Sequence, residues 1–187
     1  MITIVSGLPR SGTSLMMQML AAGGMPILSD GERQADVDNP RGYLEWERIK
    51  QLPKDPACIT EAEGKAVKVI SLLLLSLPEG HEYRVIFMQR PLAEVLASQE
   101  VMLHHRGTAK AGADAAVIGA AFEKNLRAVN AWLDSKSYAR TLRISYHDVL
   151  HDAAGIGRKL SQFLGISLDV EAMTRQVDAS LYRNRSK

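Results

Sequence analysis

The fold is decided by the segment Ile2-Thr3-Ile4-Val5-Ser6-Gly7-Leu8-Pro9-Arg10-Ser11-Gly12-Thr13-Ser14. Its first residues are apolar or β-branched and end at a turn rich in glycine and proline, which predicts a buried strand over 2–5. A helix is predicted over 12–22, where Gly23-Gly24 stops it. A glycine-containing loop between a strand and a helix is typical of a phosphate-binding loop, because backbone N–H groups and the helix dipole there favour an anion.

This loop departs from the pattern of ATP-hydrolysing enzymes. Gly7 and Gly12 keep the usual glycine spacing, but Thr13 stands where those enzymes carry a lysine that reaches the nucleotide phosphates. The cation of the loop is Arg10 instead. The loop therefore favours a nucleotide 5′-phosphate joined to a small transferred anionic group, bound without a metal ion. A plain strand–turn–helix, with glycines for close packing, is the alternative interpretation.

The rest of the chain alternates strands with helices. Further strands are predicted at 66–70, 84–88 and 141–144, and further helices at 46–52, 71–77, 91–104, 113–135, 155–164 and 169–178. A polar, turn-rich loop spans 29–45 and a connector spans 53–64. Such alternation predicts an α/β fold of three layers, a P-loop nucleotide-binding fold with a central parallel sheet of four or five strands flanked by helices.

Composition narrows the class of protein. The chain has 187 residues, of which 46% are apolar and 24% charged, with a net charge of +2 and a single cysteine. These values exclude a disordered tail, a coiled coil and a disulfide scaffold. A mild positive charge favours a small anionic ligand over nucleic acid. No apolar run reaches the roughly 18 residues of a membrane helix, and no signal peptide is visible. We therefore expect one domain over residues 1–187, in the cytoplasm, with neither nucleic acid nor membrane as partner.

Two motifs resemble those of the sulfotransferase family, which uses 3′-phosphoadenosine 5′-phosphosulfate (PAPS). The segment Leu8-Pro9-Arg10-Ser11-Gly12-Thr13-Ser14 is similar to that family's 5′-phosphosulfate loop. Arg90 at a strand end and Ser98 two helical turns later resemble its 3′-phosphate motif. A weaker similarity lies in Tyr146-His147-Asp148 and Phe163-Leu164-Gly165, although Val149 stands where leucine is commoner. The chain thus looks like a small bacterial-type member.

The resemblance implies an enzyme that transfers the sulfuryl group of PAPS to a hydroxyl or amine acceptor by in-line displacement. Its partners would be the adenosine 3′,5′-bisphosphate nucleotide and an unidentified acceptor, and a homodimer is left open. Arg10 would stabilise the bridging oxygen and the sulfuryl group, while the backbone amides of Ser11 to Ser14 would hold the 5′-phosphate. The full set of expected cofactor-binding residues is Pro9, Arg10, Ser11, Gly12, Thr13, Ser14, Arg90, Ser98, Tyr146 and Arg183.

An alcohol acceptor also needs a general base, and family members use a histidine or a carboxylate for this. Glu45 is the first candidate and Glu47 the second, because their loop is expected near the strand ends where ligands of α/β sheets bind. Asp36 and Asp38 in the same loop are weaker candidates. Lys68 interrupts an apolar strand and is a further catalytic candidate that could reach the sulfate. The alternative interpretation of Glu45 and Glu47 is an exposed carboxylate at a helix start, and that of Lys68 is a lysine at a strand edge.

The sequence supports three other expectations. His104 and His105 end a helix, where a cation suits the helix dipole. The short chain leaves little to enclose an acceptor, so we expect the segments 29–47 and 104–112 to form a rather open acceptor site. The alternative functions are a P-loop nucleotide kinase or NTPase of atypical sequence, and a catalytically silent nucleotide-binding module.

Overall fold

A parallel sheet forms the centre of the protein. The computed structural model describes residues 1–105, 107 and 115–178. Within these residues the sheet has five strands in the order β2-β3-β1-β4-β5, all parallel. The strands are β1 (Ile2–Gly7), β2 (Ile27–Leu28), β3 (Ala66–Lys68), β4 (Tyr83–Gln89) and β5 (Ala139–Ser145). The predicted α/β class with a parallel sheet is confirmed.

Helices cover both faces of this sheet. They are α1 (Thr13–Ala22), α2 (Ser71–Leu74), α3 (Leu92–His105), α4 (Ala115–Ser135), α5 (Tyr146–His151), α6 (Ala153–Leu164) and α7 (Val170–Thr174), with 3₁₀ segments at Glu47–Gln51 and Pro56–Ala62. Because neighbouring residues of a strand point to opposite faces, Ile4 and Val5 belong to two different hydrophobic cores. The Ile4 core includes residues of α2 and α4, and the Val5 core includes residues of α1, α5, α6 and α7. The protein therefore has the three layers expected of the fold.

Three elements differ from the sequence prediction. Strand β2 was not predicted, because its two residues are too short to show a pattern; it pairs with β3 through Ile27 and Ala66. The connector expected over 53–64 contains the 3₁₀ segment that starts at Pro56. Helix α5 was also missed, because it follows β5 directly and is started by Ser145, whose side chain accepts a hydrogen bond from the Asp148 amide. None of the described helices is long and apolar enough to cross a membrane.

The order of the strands determines where a ligand can bind. Strand β1 lies between β3 and β4, so the chain reaches one neighbour through α1 and β2, and then crosses to the other side. A crevice forms outside the carboxyl ends of the strands where such a sheet reverses its winding direction. Gly7, Lys68 and Gln89 are the last residues of the three strands that meet there.

Candidate active site

A cavity of about 400 Å³ opens at this edge of the sheet. Its walls come from the loop 9–14 after β1, from the loop 33–46, from the end of β3 and from one face of α3. The loop 33–46 contains no regular helix or strand, and its Asp36 accepts a hydrogen bond from the Tyr43 hydroxyl at 2.7 Å. The cavity therefore combines the predicted phosphate loop with the polar loop in which the candidate bases lie.

Two glycines let the phosphate loop pack against its neighbours. A Cβ on Gly12, which has φ +100°, would lie 2.5 Å from Cδ2 of Tyr146. A Cβ on Gly7 would lie 2.7 Å from the carbonyl oxygen of Met88 on β4. Only glycine fits both positions. The first amides of α1 follow Gly12 directly and have no intrahelical partner, so they are available to an anion in the cavity.

Arg10 is held in the loop from three sides. Its Nε donates to Oγ of Ser98 on α3 at 2.9 Å, and its Nη2 donates to the Asp38 carbonyl oxygen at 3.3 Å. Its own carbonyl oxygen accepts a hydrogen bond from Nη1 of Arg90 at 3.1 Å. Its φ of 68° is left-handed and unfavourable for a residue with a side chain. These three contacts hold the residue in that conformation and fix its guanidinium at the cavity wall.

Arg90 follows β4 and is held by a buried carboxylate. Its Nε donates to Oε2 of Glu94 at 2.9 Å, and the two side chains are 7% and 1% exposed. Nε2 of His147 lies 3.2 Å from the same oxygen. The guanidinium also lies over the ring of Tyr146, 4.9 Å from its centre. Burial raises the pKa of Tyr146 although Arg90 and Arg10 act against it, so the Tyr146 hydroxyl stays protonated at neutral pH.

A second cluster of charges surrounds Lys68 at the end of β3. Nζ of Lys68 donates to Oε1 of Glu45 at 2.9 Å, to Oγ of Ser14 at 3.1 Å and to the Tyr43 carbonyl oxygen at 3.3 Å. Arg33 donates to both carboxylate oxygens of Glu45, at 2.8 and 2.9 Å, and stacks on the Tyr43 ring. Glu45 thus neutralises two cations at once. Lys68, at 6% exposed, is linked through Ser14 to the phosphate loop.

Burial and pairing decide the protonation of this cluster. Burial acts to raise the pKa of Glu45, but Lys68 and Arg33 outweigh it and hold the pKa below 4.5. Burial lowers the pKa of Lys68 although Glu45 opposes it, since Lys68 has one carboxylate partner and is repelled by Arg33 and Arg10. Glu45 is therefore a weak proton acceptor, because its negative charge is stabilised twice.

Comparison with known proteins decides the family. The sequence model of the sulfotransferase domain matches residues 2–187. The chain belongs to the sulfotransferase family. It is accordingly an enzyme of sulfuryl transfer, which moves a sulfuryl group from a donor to an acceptor. No curated protein matches its sequence.

Solved structures share the fold of this sulfotransferase. A sulfotransferase from Mycobacterium tuberculosis is 16% identical, with a TM-score of 0.63 over 97% of this chain and 73% of that one. The sulfotransferase domain of the curacin biosynthetic pathway is 16% identical, with a TM-score of 0.54 over 95% of this chain and 77% of that one. The sulfotransferase domain of the Synechococcus PCC 7002 olefin synthase is 15% identical, with a TM-score of 0.54 over 100% of this chain and 80% of that one.

The sulfotransferase brings most of the predicted site residues to one cavity. Those that line it are Pro9, Arg10, Gly12, Thr13, Ser14, Glu45, Lys68, Arg90, Ser98 and Tyr146. Glu47 does not line it, and its carboxylate pairs with Lys50 instead. Ser11 is buried beneath the loop, and its N–H donates to the Leu8 carbonyl oxygen at 3.2 Å, so this amide is used within the turn. Arg183 lies outside the described residues.

Several residues of the cavity wall were not predicted as site residues, among them Arg33 and His105. Arg33 belongs to a loop without periodicity, so no local signal marked it. His105 was explained by its place at a helix end, and only the fold shows that Nδ1 of its ring lies 2.9 Å from Oδ1 of Asp38. The rest of the segment 104–112, expected to help enclose the acceptor, lies outside the described residues apart from His104 and Gly107.

Proposed function

We propose that this sulfotransferase uses PAPS as its donor and transfers the sulfuryl group to a hydroxyl or amine acceptor by in-line displacement. The observation that carries the proposal is the pair of contacts made by Arg10, whose Nε binds Ser98 and whose carbonyl oxygen binds Arg90. These contacts put the phosphate loop beside the arginine and serine of the second motif. PAPS carries anionic groups at both its 5′ and 3′ positions, so a donor of this kind needs cations at two neighbouring places.

The residues of the cavity fit such a donor. The first amides of α1, with the hydroxyls of Thr13 and Ser14, face the place of the 5′-phosphate in this proposal. Arg90 and Ser98 bind the 3′-phosphate, and Tyr146 supports the Arg90 guanidinium from below. Glu94 neutralises and orients the Arg90 guanidinium, since a buried guanidinium needs a carboxylate partner.

The same residues explain how the reaction is accelerated. As the sulfuryl group leaves the donor, negative charge grows on the bridging oxygen of the departing bisphosphate. The fixed guanidinium of Arg10 stabilises that charge, and its three contacts mean that little reorganisation is needed at the moment of transfer. Lys68 donates to the Ser14 hydroxyl of the phosphate loop and adds positive potential beside the place of the 5′-phosphate. Positioning and electrostatics supply the rate, as in phosphoryl transfer.

The proposal also covers the domain organisation, the cellular compartment and the oligomeric state. One sheet with a core on each face supports a single domain over residues 1–187. A single cysteine, the buried Cys58, forms no internal disulfide and supports a reducing compartment such as the cytoplasm. A homodimer stays a prediction, to be tested by light scattering.

Calorimetry with adenosine 3′,5′-bisphosphate tests the donor assignment. We expect binding by the wild-type protein and a loss of about 10- to 100-fold in affinity for Arg90→Ala, since a hydrogen bond to a charged group contributes roughly 1.5–3 kcal/mol. Adenosine 5′-monophosphate, which lacks the 3′-phosphate, should lose less affinity than the bisphosphate in Arg90→Ala, because only the contact of Arg90 with the Arg10 carbonyl oxygen bears on its binding. Arg143→Ala is the matched control, because Arg143 lies on β5 and pairs with Asp134 outside the cavity. No binding at millimolar ligand, or unchanged binding by Arg90→Ala, would overturn the assignment.

A further inference from the structure

A histidine–aspartate pair lies in the cavity wall beside Arg10. Nδ1 of His105 lies 2.9 Å from Oδ1 of Asp38, and both residues line the cavity. The Asp38 side chain is 6% exposed, whereas the His105 side chain is 44% exposed. The carboxylate is therefore fixed in the wall and the imidazole is open to an incoming molecule.

We propose that His105 is the general base that takes the proton of the acceptor, and that Asp38 is its positioning residue. This inference rests on the proposed function, because it assumes an acceptor in the same cavity as the donor. A carboxylate that accepts a hydrogen bond from Nδ1–H fixes the neutral ring in the tautomer whose Nε2 carries the free lone pair. Among the described residues none binds Nε2 of His105. That nitrogen is thus the proton acceptor of the pair.

The position of the pair relative to Arg10 supports the assignment. The carbonyl oxygen of Asp38 accepts a hydrogen bond from Nη2 of Arg10 at 3.3 Å, while its carboxylate binds His105. Asp38 therefore contacts both the base, His105, and Arg10, the cation that stabilises the leaving oxygen. In-line transfer needs the acceptor and the leaving group on opposite sides of the sulfur, so a base close to Arg10 but on another wall suits the reaction.

Helix α3 fixes the distance between the donor contacts and the base. Ser98, Met102 and His105 are four and three residues apart on α3 and line the cavity from the same helical face. Ser98 binds Arg10 at one end of this face. His105 lies seven residues later, about 10 Å along the helix axis. This spacing leaves room for an acceptor between the sulfuryl group and the base.

The carboxylates predicted from the sequence are poorer bases. Glu45 is engaged by Lys68 and by Arg33, and these two cations hold its pKa low. Glu47 does not line the cavity. His105 has one carboxylate partner, which stabilises the imidazolium once the proton has been taken.

The acceptor oxygen or nitrogen forms a bond to sulfur while its proton passes to Nε2 of His105. The bond between sulfur and the bridging oxygen breaks, and its electron pair stays on the 5′-phosphate of the bisphosphate. The imidazolium, paired with Asp38, later returns the proton to water. No oxidant, reductant or metal is needed.

The experiment follows sulfate release from labelled PAPS, in which water is the acceptor, beside binding of adenosine 3′,5′-bisphosphate. For His105→Ala we expect unchanged affinity for the bisphosphate and release at least about 100-fold slower, since general bases contribute 10²–10⁴-fold. Added imidazole should restore part of the rate, because it replaces the missing ring. The control is His104→Ala, an exposed neighbour that does not line the cavity, and it should behave as wild type.

A spectroscopic measurement tests the role of Asp38. Nitrogen NMR of the labelled wild-type protein at about pH 8, where an ordinary histidine is neutral, should show His105 with its proton on Nδ1. Asp38→Asn should shift the ring toward the other tautomer, which a merely structural loss would not do.

Four outcomes would overturn the proposal. They are an Nε2–H tautomer in the wild-type protein, an unchanged rate in His105→Ala, a failure of imidazole to restore a slowed rate, and wild-type protein that binds the bisphosphate but releases no sulfate. Failure of the wild-type protein to bind the bisphosphate would instead contradict the donor assignment. The two proposals are thereby distinguished.

Discussion

Glu45→Gln should destabilise the protein by leaving Lys68 as a buried cation without a carboxylate. Breaking a buried ion pair by removing one partner costs roughly 3–5 kcal/mol. Lys68 would keep its hydrogen bonds to Ser14 and to the Tyr43 carbonyl oxygen, and glutamine can still accept one hydrogen bond. We therefore expect a loss of about 3 kcal/mol in the free energy of unfolding at pH 7, at the lower end of the range.

The size of this loss should depend on pH. Lys68 can avoid the cost of an unpaired buried charge by releasing its proton. Deprotonation of a lysine of ordinary pKa at pH 7 costs at most about 5 kcal/mol. Burial already lowers the pKa of Lys68, and removal of Glu45 takes away the group that opposes this shift. In the variant the unfolded chain then binds one proton more than the folded chain, so stability rises with pH. The loss should shrink between pH 7 and pH 9, by up to about 2.8 kcal/mol, since each of the two pH units is worth about 1.4 kcal/mol once Lys68 is neutral.

Urea unfolding of four proteins provides the measurement. They are the wild type, Glu45→Gln, Lys68→Met and the double variant, each at pH 7 and pH 9. The double variant should lose less than Glu45→Gln alone, because it contains no unpaired buried cation. A loss below about 1 kcal/mol in Glu45→Gln with no change between the two pH values would refute the reasoning, and so would a double variant as unstable as the sum of the single ones.

Two further predictions concern the phosphate loop and its support. Gly12→Ala should weaken adenosine 3′,5′-bisphosphate binding and lower the melting temperature, because the new Cβ would lie 2.5 Å from the Tyr146 ring. The control is Gly64→Ala, which is also at positive φ but has open space around it, so it reports backbone strain alone. Equal effects in the two variants would contradict the packing argument. Tyr146→Leu should weaken binding of the same nucleotide by about 2- to 30-fold, since a cation–π contact contributes roughly 0.5–2 kcal/mol. Tyr146→Phe keeps the ring beneath Arg90, so this variant should bind the nucleotide more tightly than Tyr146→Leu.

The sequence predicted the cavity walls formed by the phosphate loop and the second motif better than those formed by the loop 33–46 and the end of α3. Arg10, Arg90 and Ser98 follow strands or lie in helices whose patterns are local, so their places in the fold could be inferred from neighbouring residues. Two contacts could not be inferred in this way. The contact of Asp38 with His105 brings an irregular loop to a distant helix, and that of Arg33 with Glu45 closes a turn within the same loop. Such contacts depend on the whole fold. The strand ending in Lys68 was predicted, but the partners of its buried side chain were not.

Helix α3 has a consequence for how acceptor preference can change over evolution. Its cavity face carries the hydroxyl that binds Arg10 and the proposed base, and Glu94 near its start holds Arg90. A substitution that reshapes this helix would therefore disturb donor binding as well as acceptor contact. In the loop 33–46, Asp38 likewise contacts both Arg10 and His105, whereas Val37 is exposed at the cavity. Relatives that sulfate different acceptors should accordingly vary most at exposed positions such as Val37, while keeping Asp38 and the register of α3.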